Sequence, residues 1–182
     1  MFRKEAFFKA MVPLCGYVLV PLFFLSFLFL PDANLSVFAE RFPFVSLLFL
    51  PVYGLYLFLV RQLDPAALKA ALLCGVCCSF TMLIPYGRIS SLLDTVHVLF
   101  AYGAVIVNHF VMERTLSVFP RNLQIYHSLL FCCILICTFA LAVVTAAQVL
   151  YAAGVSILLC SAYGRAKKFD NLSQVLFAEI CQ

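Results

Sequence analysis

Long apolar runs separated by short polar stretches dominate this chain. A helix needs about 20 apolar residues to cross the hydrocarbon core of a bilayer. The runs are continuous, whereas the strands of a membrane barrel would alternate apolar and polar residues over about ten positions. The pattern therefore predicts an all-α polytopic bundle of about six membrane-spanning helices, forming a single domain over residues 1–182. The spans are expected at 11–30, 44–60, 66–85, 95–112, 128–144 and 149–164.

The last apolar stretch, 128–164, is too long for one crossing and suits two spans joined by a tight turn. Its polar break lies at Thr145 to Gln148, where we place the turn. The segment 165–182 is too polar to cross, and its apolar residues recur at helical spacing. It is therefore expected to be a cytoplasmic tail, either an amphipathic helix on the inner membrane surface or disordered.

Composition supports the membrane interpretation. The chain is 65% hydrophobic and 11% charged, whereas soluble domains carry about 25% charged residues. The net charge of +4 comes from basic residues near the span ends rather than from one basic patch, so nucleic acid is not an expected partner. The expected partners are membrane lipid and a second membrane protein or further copies of this chain.

The basic residues also predict an orientation, because Lys and Arg near span ends are retained on the cytoplasmic side. With the N-terminus inside, only Arg41 and Arg88 of the 12 basic residues fall outside. Both termini are thus expected in the cytoplasm, and the compact chain with short loops is typical of a bacterial cytoplasmic membrane protein. The basic residues expected inside are Arg3, Lys4, Lys9, Arg61, Lys69, Arg114, Arg121, Arg165, Lys167 and Lys168.

Nine cysteines raise the question of redox or metal chemistry, notably in the segments 74–78 and 132–137. A pair of cysteines two residues apart supplies only half of a zinc site, and thiols in lipid stay neutral and unreactive. We therefore expect these cysteines to fill helix interfaces as small apolar residues, with no metal bound. No phosphate-binding loop, nucleophilic triad or other cofactor motif is present, and no cofactor is expected.

Two prolines, Pro21 and Pro51, fall inside the first two predicted spans. Proline removes a backbone donor and tends to kink a helix, which could open a cavity. The alternative is that they are tolerated without any functional role, as in many membrane helices.

The fourth span carries most of the polar residues within the membrane, so it is the predicted functional helix. Asp94 and His97 share a face near its outer end, while Asn108 and His109 lie near its inner end. Asp94 could equally be a helix N-cap, and His97 could lie among lipid headgroups. The outer-loop residues Glu40, Arg41 and Arg88 complete the candidate ligand-binding set. His127 has no acidic neighbour in sequence.

The segment from Ile84-Pro85-Tyr86-Gly87-Arg88 through Asp94 and His97 to Ala101-Tyr102-Gly103-Ala104 resembles one known group of membrane proteins. It is similar to the Frag/DRAM/Sfk superfamily of six-helix proteins, in particular its uncharacterised bacterial branch. In that group a proline closes span three and a histidine opens a fourth span rich in small residues. The resemblance implies a small non-enzymatic membrane protein, although the group's usual His-Asn pair is replaced here by His97-Val98.

Three functions follow from these patterns. The first is a non-enzymatic membrane protein that binds a lipid, a small molecule or a partner protein in its helical bundle. The second is a transporter, or the substrate-binding membrane subunit of one. The third is a membrane enzyme acting on lipid headgroups, with Asp94 and His97 at the outer end of span four.

Overall fold

The structure is a computed structural model that describes residues 10–29, 47, 49–84, 91–139 and 144–180, with side chains as far as Phe169. Within these ranges the chain is all-helical and contains six helices. Five of them are long and apolar enough to cross a membrane, whereas the apolar helix α2 has 15 residues. The helices are α1 (Ala10–Phe29), α2 (Phe49–Leu63), α3 (Leu68–Leu83, preceded by a 3₁₀ turn at Pro65–Ala67), α4 (Ser91–Leu116), α5 (Pro120–Phe139) and α6 (Val144–Ile180).

The predicted turn at Thr145 to Gln148 is wrong, because these residues form the first turn of α6. Thr145 and Ala147 are buried, so the polar break in the sequence marks an inward-facing part of a helix. Helix α6 then continues without a break from the predicted last span into the predicted tail, as far as Ile180. Helices α4 and α5 are also longer than expected, since α4 extends to Leu116 and α5 begins at Pro120.

Adjacent helices run antiparallel, so the bundle has two distinct ends. One end contains the start of α1, the α2–α3 and α4–α5 connections and the 160–169 part of α6. We name it the basic end, because every Lys and Arg in the described side chains lies there. At this end the Arg114 Nε donates to the Asp64 carboxylate at 2.5 Å, and Asp64 also caps the 3₁₀ turn through the Ala66 N–H. The basic residues concerned are Arg61, Lys69, Arg114, Arg121, Arg165, Lys167 and Lys168.

The apolar core lies mainly in the half of the bundle nearest the basic end. Leu59, Met112, Leu116, Tyr126 and Leu159 are its largest fully buried side chains, and they come from four different helices. A smaller cluster nearer the opposite end joins α1 and α2 through aromatic contacts of Phe23, Phe24, Phe27 and Phe49, and Val149 of α6 packs in the same cluster.

Pro21 alters α1 without breaking it. The turn before it, Cys15–Leu19, is a π-helix in which the Val20 N–H donates to the Cys15 carbonyl. In this register the next donor would be Pro21, which has no N–H, so the Gly16 carbonyl loses its backbone partner. The Ser156 hydroxyl of α6 donates to that carbonyl at 3.0 Å and replaces the missing bond. Pro51 lies in the first turn of α2, where a missing N–H removes no intrahelical bond.

We expect Gly16→Val to destabilise the bundle, because a side chain at Gly16 would clash with Cys160 where α1 meets α6. Overpacking of this kind costs about 1–3 kcal/mol. The matched control is Gly54→Val, since nothing lies within 4 Å of a Cβ at that helical position. Thermal unfolding of the two purified variants in detergent measures the difference, and equal midpoints would contradict the close α1–α6 contact.

Candidate functional site

A cavity of about 410 Å³ lies between α2, α3, α4 and α6, with α1 closing one side. It exists because α4 and α6 make little direct contact, so that side chains must bridge the gap between them. Its walls are mostly apolar and include Phe24, Leu55, Met82, Ala101 and Val155. The cavity therefore suits a mainly apolar occupant.

Three polar side chains join the helices around the cavity. The Tyr56 hydroxyl of α2 donates to the Asn108 Oδ1 at 2.7 Å, and the Asn108 Nδ2 of α4 donates to the Tyr151 hydroxyl of α6 at 2.8 Å. Asn108 is only 6% exposed, so these partners replace water around a buried amide. We name this unit the Tyr–Asn–Tyr bridge.

Other polar groups in the cavity wall are engaged within the fold. The Ser79 and Thr81 hydroxyls donate to carbonyls one turn earlier in α3, and the Tyr53 hydroxyl donates to the Ala71 carbonyl at 2.5 Å. The Ser156 hydroxyl bonds to Gly16, as described above. The Tyr–Asn–Tyr bridge and the Gln148 amide of α6 are therefore the polar features that a ligand in the cavity would meet.

The polar contacts continue from the bridge toward the basic end. The Tyr151 and Tyr126 hydroxyl oxygens lie 3.1 Å apart, and the Tyr126 hydroxyl is 3.4 Å from the His109 Nδ1. The Tyr126 ring stacks on the His109 imidazole, with centroids 5.9 Å apart and planes at 19°. Tyr126 is completely buried, so the path runs through the protein interior rather than along its surface.

The path ends in a cluster of His109, Glu113 and His127 near the basic end, which we name the His–Glu–His cluster. His109 and Glu113 are one turn apart on α4, and their Nε2 and Oε1 atoms are separated by 3.8 Å. The His127 Nε2 of α5 contacts the same Glu113 oxygen. The three side chains are 36%, 37% and 48% exposed, respectively, so this end of the path is open to its surroundings.

The four candidate residues of span four lie in different environments in the structure. Asn108 and His109 belong to the Tyr–Asn–Tyr bridge and the His–Glu–His cluster, respectively. His97 is buried, and its Nδ1–H donates to the Ile84 carbonyl at the end of α3 at 2.8 Å, so its expected place among lipid headgroups is wrong. Asp94 lies inside the first turn of α4, which begins at Ser91, so it is not the N-cap.

Glu40, Arg41 and Arg88 lie outside the described residues. The predicted site at the outer end of span four therefore stays a prediction.

The buried cysteines lie at helix interfaces, as expected for small apolar residues. The thiols of Cys74, Cys133 and Cys160 each approach a carbonyl of a neighbouring helix, at 3.5, 3.5 and 3.8 Å.

Among the described side chains, no group of three or more His, Cys, Asp or Glu residues is arranged to hold a metal ion.

Sequence reasoning missed five residues of the site: Tyr56, Glu113, Tyr126, His127 and Tyr151. One signal was available, because Glu113 follows His109 by four positions and must share its helix face. The tyrosines and His127 carried no such signal, since each lies on a different helix from its partner and close to it only in the folded bundle.

No protein-family model matches this chain, and neither curated proteins nor solved structures include a detectable relative. The resemblance to the Frag/DRAM/Sfk superfamily thus stays a prediction.

We expect the Tyr56 and Asn108 side chains to be energetically coupled through their hydrogen bond. A double-mutant cycle of Tyr56→Phe and Asn108→Leu, followed by unfolding in detergent, should give a coupling of about 0.6 kcal/mol, the average for hydrogen bonds in a membrane bundle, and no more than about 1.7 kcal/mol. The control cycle pairs Asn108→Leu with Tyr163→Phe, because Tyr163 packs against Phe58 and Lys167 outside the bridge. Equal coupling in both cycles would contradict a specific bond.

Proposed function

We propose that this chain is a non-enzymatic polytopic membrane protein that binds an amphiphile inside its helical bundle. By amphiphile we mean a lipid-like molecule with an apolar body and one polar group that forms hydrogen bonds. The observation that carries the proposal is the 410 Å³ apolar cavity bordered by the Tyr–Asn–Tyr bridge. Ligand cavities typically measure about 300–1,000 Å³ and combine apolar walls with a few placed polar groups.

The bridge also offers a free donor to such a ligand. The Asn108 amide carries two N–H groups, and within the described part of the chain Tyr151 is the one side chain that accepts from them. The remaining N–H suits an acceptor such as the carbonyl or hydroxyl oxygen of an amphiphile. The apolar body would then extend along the cavity wall between α2, α3 and α4.

We further propose that the helices cross a membrane with the basic end in the cytoplasm. The concentration of the described Lys and Arg residues at one end supports this orientation, because basic residues near span ends are retained inside. Helix α1 begins at this end and α6 approaches it, so both termini would be cytoplasmic.

The orientation predicts which end of the bundle a membrane-impermeant maleimide reaches in intact cells. With the native cysteines replaced by alanine, Phe139→Cys at the opposite end should be labelled from outside, whereas Lys168→Cys should be labelled only after permeabilisation. Both positions are exposed in the bundle. The reverse pattern would overturn the proposed orientation.

Ligand binding can be tested with a photoactivatable fatty acid that carries a diazirine on its chain and a photoactivatable phosphatidylglycerol, each in liposomes containing the full-length protein. We expect cross-links on the cavity residues Ala101, Ala104 or Ala152. Mass spectrometry of the peptides identifies the positions, and the two probes distinguish a free single-chain amphiphile from a membrane phospholipid.

The matched variants are Ala101→Phe, which fills the cavity, and Ile106→Phe, which adds an aromatic ring on the exposed face of the same helix. Cavity cross-links should disappear in the first variant and persist in the second. Cross-links confined to exposed residues such as Leu99 and Ile106 in the parent protein would contradict binding inside the bundle.

A further inference from the structure

The cavity and the polar path together cover the length of the bundle. The cavity lining reaches Phe49 at the start of α2, Met82 near the end of α3 and Gln148 in α6, all close to the end opposite the basic end. From Tyr151 in the cavity wall, the path leads through Tyr126 to the half-exposed His–Glu–His cluster. Ligand binding alone gives no reason for polar side chains to extend beyond the bridge through the buried core.

The hydrogen bonds along this path can all run in one direction. The Asn108 Nδ2 can only donate, so Tyr151 accepts there and its own hydrogen is available for Tyr126. In that arrangement the Tyr126 hydroxyl donates to the His109 Nδ1. A neutral His109 then carries its hydrogen on Nε2, the atom that faces the Glu113 carboxylate.

We propose that this path carries protons between the cavity and the basic end. A proton arriving from a water or a ligand group in the cavity binds the Tyr151 oxygen as the Tyr151 hydrogen passes to Tyr126. The Tyr126 hydrogen passes to the His109 Nδ1, and the His109 Nε2 hydrogen passes to the Glu113 carboxylate. Each tyrosine keeps one proton, Glu113 becomes neutral, and it then releases its proton to the solution at the basic end.

The geometry allows this sequence and its reset. Tyrosine hydroxyls and imidazoles both donate and accept hydrogen bonds, as a proton relay requires, and chains of ionisable residues inside membrane bundles commonly serve such relays. The His109 to Glu113 distance of 3.8 Å is long for direct transfer, but both side chains are more than a third exposed and one water can bridge them. The same exposure lets His109 turn its Nδ1–H to water, which takes this proton and returns one to Nε2, so the starting tautomer is restored. The Tyr126 and Tyr151 hydroxyls reset by rotation about their C–O bonds.

Among the described side chains, few groups outside the path lie close to His109. On its own helix Glu113 is the acidic group, and α5 supplies Tyr126 and His127. From α6, Tyr151 acts on it through Tyr126. The inference does not depend on which amphiphile occupies the cavity, because the path is formed by the chain itself.

Proton flux through full-length protein in liposomes tests the proposal. The liposomes contain the pH-sensitive dye pyranine, valinomycin and potassium hold the membrane potential near zero, and the outside is acidified. We expect acidification inside to be several-fold faster than in protein-free liposomes. Tyr126→Phe, which keeps the stacked ring but removes the hydroxyl, and Glu113→Gln should each lose nearly all of this protein-dependent flux. Tyr163→Phe, outside the path, should retain it.

A parent rate equal to that of protein-free liposomes would overturn the proposal. So would parental flux in both Tyr126→Phe and Glu113→Gln, or an equal loss in Tyr163→Phe.

A second measurement, ¹⁵N NMR of the protein's three histidines in nanodiscs, should show neutral His109 as the Nε2–H tautomer in the parent and a tautomer mixture in Tyr126→Phe. An unchanged tautomer would contradict the inferred direction. If the cavity cross-links are absent but the proton flux is intact, ligand binding is refuted and the proposed proton path is unaffected.

Discussion

A polar side chain inside an apolar helical bundle has no bulk water to bond with, so its partners must come from the protein. Asn108 meets this requirement by binding a tyrosine on each of two other helices. Those bonds link α2, α4 and α6 around a region where α4 and α6 make little direct contact. These hydrogen bonds therefore hold the helices together although a cavity lies between them. The same amide donates to the Tyr151 hydroxyl, from which the polar contacts continue toward the basic end.

The same requirement explains isolated polar residues elsewhere in the bundle. Ser156 replaces the backbone donor that Pro21 lacks, and it does so across the α1–α6 interface. His97 donates to the carbonyl of Ile84, the residue that follows the last one of α3. Each of these side chains resembles an isolated functional residue in the sequence. In the folded chain, each of these two bonds joins a side chain to a backbone carbonyl of another helix or at its end.

The bundle divides into a packed half and an open half. Near the basic end, large side chains such as Met112 and Leu159 fill the core, and the Arg114–Asp64 ion pair links the last turn of α4 to the α2–α3 connection. Toward the opposite end, small residues such as Ala101 and Ala104 leave space between the helices. Tyr126 belongs to both features of the packed half, since its ring is part of the core and its hydroxyl belongs to the polar path.

Apolar run length and the positions of Lys and Arg are local properties, so the sequence by itself determined the helical class, the approximate helices and the collection of basic residues toward one end. Asn108 and His109 were also predictable, because polar residues within an apolar run stand out. The turn was misplaced at Thr145 because a polar residue can face inward from a helix as well as end one.

Only the tertiary structure decided the partners of Asn108 and His109. Tyr56, Tyr126, His127 and Tyr151 meet α4 from three other helices, and the distances between side chains on different helices depend on how the helices pack, which no local pattern records.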